Sequence, residues 1–249
     1  GMKISIGKLH HIGKRQSQQD SFGTVTLADG SILSVVADGM GGLADGDKVS
    51  QKIVYTMLTQ AGAVLQEGAL TPLYQLVGFA NAAVNADSEI AVQSGSTLLA
   101  VWQRQNQFQW IAVGDSRIYL YRAGSLIQMN SEHIYQKELL LSAVNGEMSY
   151  EAACMDKQAA CLVSYIGMGN LRHIDGSLRD VALEPGDRIL LMSDGVFNTL
   201  SEQEIAEILM RAGAVEKAAE VMQEEILKKN RMSQDNFTAV ILGWDYEGM

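Results

Sequence analysis

The sequence predicts an α+β fold in which two antiparallel β-sheets are stacked and flanked by pairs of helices, a four-layer αββα sandwich. Two observations support this prediction. Apolar runs of strand length recur along the chain, and several lead directly into Asp-Gly or Gly-Asp turns. Positions with the period of amphipathic helices occur in two blocks, one before residue 90 and one after residue 200. Strands and helices therefore occupy separate blocks, whereas a parallel sheet would alternate them.

The first ninety residues contain three predicted strands followed by two helices. Residues 44–65 carry apolar side chains at helical spacing, including Val49, Ile53 and Met57. The second helix begins with Thr71 as its predicted N-cap and Pro72 at the first helical position. The strands are predicted at 3–9, 22–27 and 32–37.

The rest of the chain contains a strand meander, a segment of weak pattern and a second helical block. Periodicity fades over 131–160, which is typical of a functional flap or a mobile insertion, although a short helix around 135–143 is compatible with it. Ser201 and Glu204 form a predicted capping box, and a further helix covers 215–226. The strands are predicted at 97–102, 108–113, 118–121, 126–129, 162–166, 178–183, 188–192 and 237–242.

Length and composition predict one soluble domain spanning 2–249, which we expect to be monomeric and cytoplasmic. The chain has 249 residues, of which 47% are hydrophobic and 19% charged, and it has no long apolar segment. Its formal net charge of −10 argues against nucleic acid or an anionic membrane as partner, because both require basic surfaces. Cys154 and Cys161 have no metal-type or redox-type spacing, and we expect both to be unpaired.

Four aspartates stand where predicted strands end or begin. The run 32–37 leads into Asp38, Gly39 and a glycine-rich turn that includes Gly41 and Gly42. A strand end also precedes Asp115 and another precedes Asp194, while Asp235 and Asn236 come before the last strand. Each alone is typical of an ordinary turn. In an antiparallel sheet, however, the end of one strand and the start of its neighbour share an edge, so the four carboxylates are expected to meet.

Carboxylates crowded into one site raise each other's pKa or bind cations between them. A site built from oxygen ligands, without His or Cys, favours hard divalent ions such as Mg²⁺ or Mn²⁺ over zinc. Arg15 lies in a polar loop, where it is either a solvated arginine or a bidentate ligand for phosphate or carboxylate oxygens. Its position alone favours the solvated arginine.

Six separated motifs, in this order, resemble the metal-dependent PP2C (PPM) family of protein serine/threonine phosphatases, most of all its stand-alone bacterial members. The resemblance covers residues 3–243. The motifs are Arg15-x-x-x-Gln19-Asp20, Val36-Ala37-Asp38-Gly39-Met40-Gly41-Gly42, Gly95-Ser96-Thr97, Gly114-Asp115-Ser116-Arg117, Ser193-Asp194-Gly195 and Asp235-Asn236-Phe237-Thr238.

The resemblance implies a role for each matching residue. Asp38 and the carbonyl of Gly39 would bind two Mn²⁺ or Mg²⁺ ions, and Asp194 and Asp235 would complete the ligands of one of them. Asp115, together with Asp194, would hold a third, weaker ion. Gln19 and Asp20 would support metal-bound waters, Asn236 would support the site with them, and a fourth residue would bind the substrate phosphate. The supporting residues are Gln19, Asp20 and Asn236, and the phosphate ligand is Arg15.

The implied reaction is hydrolysis of phosphoserine or phosphothreonine in a protein that a Ser/Thr kinase has phosphorylated. Two divalent ions about 3.5 to 4 Å apart generate a bridging hydroxide at neutral pH, so no Ser or Cys nucleophile is needed. The catalytic residues would be Asp38, Asp194 and Asp235. An inactive pseudophosphatase that serves as a regulatory binding module is the alternative, and a hydrolase of small phosphoesters would use the same site.

The chain departs from the family pattern at four places. Met40 stands where many animal relatives have a His, and Gln19 stands where many relatives have Glu. Ser131-Glu132-His133-Ile134 replaces the Thr-x-Asp-His-Ser pattern of the flap, and the basic His-Pro-x-Arg segment is not visible near 156–159. Substrate preference is therefore the property that the resemblance transfers least.

Overall fold

The computed structural model describes residues 1–40 and 44–248. The glycine-rich turn predicted at Gly41 and Gly42 therefore lies outside the described residues. The strands are β1 (Met2–His11), β2 (Asp20–Thr26), β3 (Ile32–Asp38), β4 (Leu98–Arg104), β5 (Gln107–Val113), β6 (Arg117–Arg122), β7 (Ser125–Gln128), β8 (Asp175–Gly176), β9 (Val181–Ala182), β10 (Arg188–Met192) and β11 (Phe237–Tyr246). The helices are α1 (Gly46–Val64), α2 (Pro72–Ala86), α3 (Tyr135–Val144), α4 (Tyr150–Met155), α5 (Asp194–Phe197), α6 (Glu202–Ala212) and α7 (Val215–Lys228).

The strands form two antiparallel sheets. One has the order β1-β11-β10-β6-β7, and the other has the order β2-β3-β4-β5-β8, with β9 also paired to β5. In the first sheet β11 lies between β1 and β10, so strands from the two ends of the chain are neighbours, with Met2 opposite Tyr246. The predicted pair of antiparallel sheets is confirmed.

Both faces of the central strands are buried, which explains why they appear in the sequence as continuous apolar runs. In β3, the side chains of Leu33 and Val35 pack beneath α1 and α2, whereas Val36 points to the opposite sheet. The same alternation in β11 sends Ile241 toward α6 and α7 and Val240 into the layer between the sheets. Three apolar layers separate four layers of secondary structure, as predicted.

Helix termini follow the sequence at one position and depart from it at another. Ser201 and Glu204 form the predicted capping box at the start of α6. Pro72 is the first residue of α2, as predicted, but Thr71 makes no side-chain capping hydrogen bond. The backbone of Thr71 is left-handed, with φ of 43°, instead of the extended conformation that aims an N-cap hydroxyl at the first turn.

Two predicted strands are largely absent. Residues 162–166 make only isolated bridges, from Ile134 to Leu162 and from Ser96 to Ile166. One end of the segment pairs just before α3 and the other just before β4, so no single strand runs beside all of it. Gly167 ends it with a φ of 114°, which no other residue type adopts readily. The strand predicted at 178–183 shrinks to β9, since β8 and β9 share the edge of β5.

The segment 131–160, which we call the flap, contains two helices with a small core of their own. The helix compatible with 135–143 is present as α3, and α4 follows it. Leu139 and Ala143 of α3 pack on Ala153 of α4, apart from the three main layers. The sequence pattern is weak here because so few side chains of the flap are buried.

The layer between the sheets should dominate the stability of the fold. Leu191 is fully buried there, so we expect Leu191→Ala to lower the free energy of unfolding by about 2–5 kcal/mol, through lost burial and the cavity that remains. Urea denaturation followed by circular dichroism measures this difference.

Leu141→Ala is the matched control, because Leu141 is 62% exposed on α3. We expect it to change the free energy of unfolding by less than about 0.5 kcal/mol. Equal losses in the two variants would contradict this description of the core.

Candidate active site

The ends of the two sheets bring the four predicted carboxyl groups to one pocket. Asp38 is the last residue of β3, Asp115 follows β5, Asp194 begins α5 directly after β10, and Asp235 precedes β11. The pocket has a volume of about 500 Å³ and takes its walls from both sheets and from the flap. It is lined by Arg15, Gln16, Ser17, Gln19, Asp38, Gly39, Met40, Thr97, Asp115, Ala160, Leu162, Asp194, Asp235 and Asn236.

Crowding changes the acidity of these carboxyl groups. Burial raises the pKa of Asp38 well above its usual range, and the nearby charges of Asp20 and Asp194 raise it further. Burial likewise raises the pKa of Asp115 to about 7, with Asp194 and Glu132 as the neighbouring negative charges. The pocket therefore brings together acidic groups that repel one another when ionised, which favours the binding of cations between them.

One cationic side chain stands at the pocket mouth. The Nε atom of Arg15 lies 3.6 Å from Oδ1 of Asp235, and its side chain is 53% exposed. Its guanidinium is thus free to turn toward a ligand in the pocket. Of the two sequence interpretations, a solvated loop arginine or an anion ligand, this placement at the carboxylate site favours the second.

Asp20 lies behind the pocket and connects the two sheets. It is 3% exposed and pairs in register with Asp38 on the neighbouring strand. Its Oδ2 accepts hydrogen bonds from the hydroxyl groups of Ser193 and Thr238, both at 2.8 Å, and these residues belong to the opposite sheet. Burial raises the pKa of Asp20 to about 6, against the effect of these hydrogen bonds.

Asn236 holds the loop that carries Arg15. Its Oδ1 accepts a hydrogen bond from the backbone N–H of Gln19 at 2.9 Å, and its Nδ2 donates to the carbonyl oxygens of Ile12 and Ser17. The carbonyl oxygen of Gln19 in turn accepts the N–H of Gly39 at 2.9 Å. Asn236 and Gln19 therefore link the Arg15 loop to the Asp38 turn.

The donor set of the pocket fits hard divalent cations. Its described lining contains carboxyl, amide and carbonyl oxygens but no imidazole or thiol. Among residues 1–40 and 44–248, no group of three His, Cys, Asp or Glu side chains is arranged to hold a metal ion. The carboxyl group of Asp38 lies against those of Asp194 and Asp20. Three buried oxygens near these contacts, however, have no hydrogen-bond partner: Gln19 Oε1, Asp20 Oδ1 and Asp194 Oδ1. Unpaired buried oxygens in a cluster of acids are what a cation would satisfy.

A sequence model described as protein phosphatase 2C matches residues 7–235, which include every predicted site residue except Asn236. The chain belongs to the protein phosphatase 2C family. The matched range runs from β1 to the residue before Asn236, so it includes most of both sheets and the whole flap.

Relatives and solved structures agree with this assignment. The chain is 30% identical over 240 residues to the serine/threonine phosphatase stp of Listeria monocytogenes, covering 93% of this chain and 92% of the relative. It superposes on the Mycobacterium tuberculosis serine/threonine phosphatase PstP/Ppp with a TM-score of 0.79 and 25% identity, covering 98% and 99% of the two chains. A structure of the PstP catalytic domain in complex with two manganese ions gives a TM-score of 0.77 and 26% identity, covering 99% and 100%.

Hydroxyl groups that complete this PP2C site were not assigned a role from the sequence. The hydroxyl of Thr97 accepts the backbone N–H of Asp38 at 3.0 Å and lies 2.7 Å from the hydroxyl of Ser116. Ser193 and Thr238 bind Asp20 in the same supporting way. All four stand inside the six sequence motifs, and Ser116 and Ser193 are direct neighbours of Asp115 and Asp194. Their place in the motifs was the signal that could have identified them.

Gly39 should tolerate no side chain. A Cβ atom there would lie 2.2 Å from the carbonyl oxygen of Gly46 and 2.8 Å from that of Gln19, so Gly39→Ala must displace the Asp38 turn. We expect it to lower the free energy of unfolding by about 1–3 kcal/mol, the usual cost of overpacking. Urea denaturation measures the loss.

Gly62→Ala in α1 is the control, because a Cβ there meets nothing within 4 Å. We expect it to stabilise the protein by about 0.5–1 kcal/mol, since alanine is favoured over glycine inside a helix. If Gly39→Ala were as stable as Gly62→Ala, the close packing of the Asp38 turn would be refuted.

Proposed function

We propose that this chain is a metal-dependent protein phosphatase that hydrolyses phosphoserine and phosphothreonine. The observation that carries the proposal is the convergence of four carboxyl groups, from four strand ends, on one pocket with an arginine at its mouth. The site needs no nucleophilic side chain, and the described lining contains no cysteine.

The proposed ligands of two Mn²⁺ or Mg²⁺ ions are Asp38, Asp194, Asp235 and the carbonyl of Gly39, and Asp115 would serve a third, weaker ion with Asp194. When bound, these ions supply an activated water and neutralise the charge of the phosphoryl oxygens. The raised pKa values of Asp38 and Asp194 support the proposal, because bound cations offset the burial that mainly raises them and the carboxylate repulsion that raises them further.

The protein's own groups orient the substrate and the site. Arg15 donates two parallel hydrogen bonds to the phosphate oxygens from the pocket mouth, a geometry that a guanidinium provides and an ammonium does not. Asn236 and Gln19 hold the loop of Arg15. Asp20 supports the Asp38 side of the pocket from behind, through its contacts with Ser193 and Thr238.

The same proposal covers the partners and place of action. The substrates are proteins phosphorylated by a Ser/Thr kinase, and the enzyme acts on them as a monomer in the cytoplasm. Cys154 and Cys161 are both exposed and unpaired, which fits a reducing compartment. No described helix is both long and apolar enough to cross a membrane.

The first test is hydrolysis of a phosphothreonine peptide by the purified protein with Mn²⁺, with Mg²⁺ and with excess chelator. We expect turnover with the metals and none with chelator. Because they remove a carboxylate ligand, Asp194→Ala and Asp38→Asn should each lower kcat by about 100-fold or more.

Unchanged turnover in Asp38→Asn would refute the assignment of the site. A folded wild-type protein without turnover and without Mn²⁺ binding in calorimetry would favour the regulatory binding module. Faster turnover of small phosphate esters than of phosphopeptides would favour the small-ester hydrolase.

The role of Arg15 is tested by Arg15→Ala and Arg15→Lys. Since a hydrogen bond to a charged group contributes about 1.5–3 kcal/mol, we expect Arg15→Ala to raise KM for the phosphopeptide by about 10- to 100-fold. The KM of Arg15→Lys should lie between those of Arg15→Ala and the wild type, because lysine keeps the positive charge but lacks the two parallel donors of a guanidinium.

The KM values come from initial rates at saturating Mn²⁺. Calorimetry should show that both variants bind Mn²⁺ as the wild type does. An unchanged KM in Arg15→Ala would show that Arg15 is a solvated loop residue that does not bind the substrate phosphate.

A further inference from the structure

The turn that carries Asp115 into the pocket is held by one residue of the flap. The backbone N–H of His133 donates to the carbonyl oxygen of Gly114 at 2.9 Å, and Nδ1 of His133 accepts the N–H of Gly114 at 3.1 Å. Both polar backbone groups of Gly114 are therefore satisfied by the same histidine. Because Asp115 is the next residue, its direction depends on this pair of hydrogen bonds.

Gly114 cannot hold this conformation through side-chain contacts of its own. Its φ is 105°, which favours glycine, and a Cβ atom would lie 2.9 Å from Cγ2 of Thr97. A glycine in such a turn is intrinsically free to adopt other conformations. The turn thus needs an external restraint, and His133 provides it.

The imidazole of His133 is itself fixed in place. Its ring stacks on that of His173, with centroids 5.6 Å apart and planes inclined by 27°. Nε2 of His173 lies 3.5 Å from Oε1 of Glu138 on α3. Burial and the neighbouring His173 lower the pKa of His133, which keeps Nδ1 available as an acceptor.

The residues on either side of His133 are anchored as well. The N–H of Ser131 donates to Oδ2 of Asp175 at 2.8 Å. Glu132 accepts a hydrogen bond of 2.6 Å from Nε of Arg117, whose guanidinium lies 4.0 Å from the ring centroid of Phe197 in α5. Residues 131–133 are thus tied to the sheet and to the helix that begins with Asp194.

We propose that His133 is a positioning residue, whose Nδ1 fixes the Gly114 turn and thereby aims the carboxylate of Asp115 into the pocket. The proposal rests on the proposed function in one respect, which is that Asp115 is a metal ligand. It assigns a role to a flap residue that is not among the site residues predicted from the sequence. Residues that orient a metal ligand contribute about 10- to 100-fold to metal affinity or activity.

The test compares the wild type with His133→Ala and His133→Asn, because the side-chain oxygen of asparagine can accept the Gly114 N–H where Nδ1 does. Mn²⁺ binding is measured by calorimetry, without substrate. We expect the weakest binding step of His133→Ala to lose about 10- to 100-fold in affinity, while the tighter steps stay within about threefold. His133→Asn should restore most of the loss.

Kinetics on the phosphothreonine peptide at fixed Mn²⁺ give a second readout. We expect kcat of His133→Ala to fall by about tenfold or more with little change in KM, because Arg15 does not contact the Gly114 turn. If Mn²⁺ affinity falls in His133→Ala as expected but the wild type hydrolyses no phosphopeptide, the inference is supported and the proposed function is refuted.

Two results with the variants would overturn the inference. One is wild-type Mn²⁺ binding and kcat in His133→Ala. The other is equal impairment of His133→Asn and His133→Ala together with equal loss of thermal stability, which would indicate packing alone. A further test needs no variant and measures hydrogen exchange in wild-type protein labelled with ¹⁵N-glycine. We expect the Gly114 amide to be protected by its hydrogen bond to His133. Rapid exchange of this amide would also overturn the inference.

Discussion

The carboxyl group of Asp20 joins the two sheets at the point where the pocket forms. Its Oδ2 accepts hydrogen bonds from Ser193 and Thr238 of one sheet, while its backbone pairs with Asp38 in the other. Two sheets that met only through apolar side chains could slide with little loss of burial, because the hydrophobic effect has no direction. Directed hydrogen bonds to a buried carboxyl set one relative position, and that position brings Asp38 beside Asp194.

The same arrangement makes the pocket a locally unfavourable part of the molecule. Buried acids with raised pKa values, and buried oxygens without partners, each work against folding. The apolar layers on both sides of each sheet offset this cost, since Val36, Leu191 and Val240 between the sheets are fully buried. Stability and chemistry are thus supplied by different side chains, often on the same strand, a division that is common where a site needs crowded charges.

Much of the fold and of the pocket was predictable because local patterns decide them. The run before Asp38 and the capping box at Ser201 depend on residues close in sequence, and both are confirmed. The strand predicted at 162–166 failed because pairing partners, and not propensity, decide whether an apolar run becomes a strand. The motifs mark Ser193 and Thr238 as candidates, but their pairing with Asp20 was out of reach, because the alignment of one sheet over the other has no local sequence signal.

The placement of β11 has a consequence for how this molecule is made. β11 lies between β1 and β10 and follows Asp235 and Asn236, so the first sheet stays divided until β11 has been synthesised. Pairing between strands so distant in sequence is slow, and it follows the folding of local structure. A nascent chain that ends before β11 therefore lacks both the strand that closes its sheet and one wall of its pocket. Assembly of the site waits for the synthesis of β11, which prevents a chain without this strand from acting on other proteins.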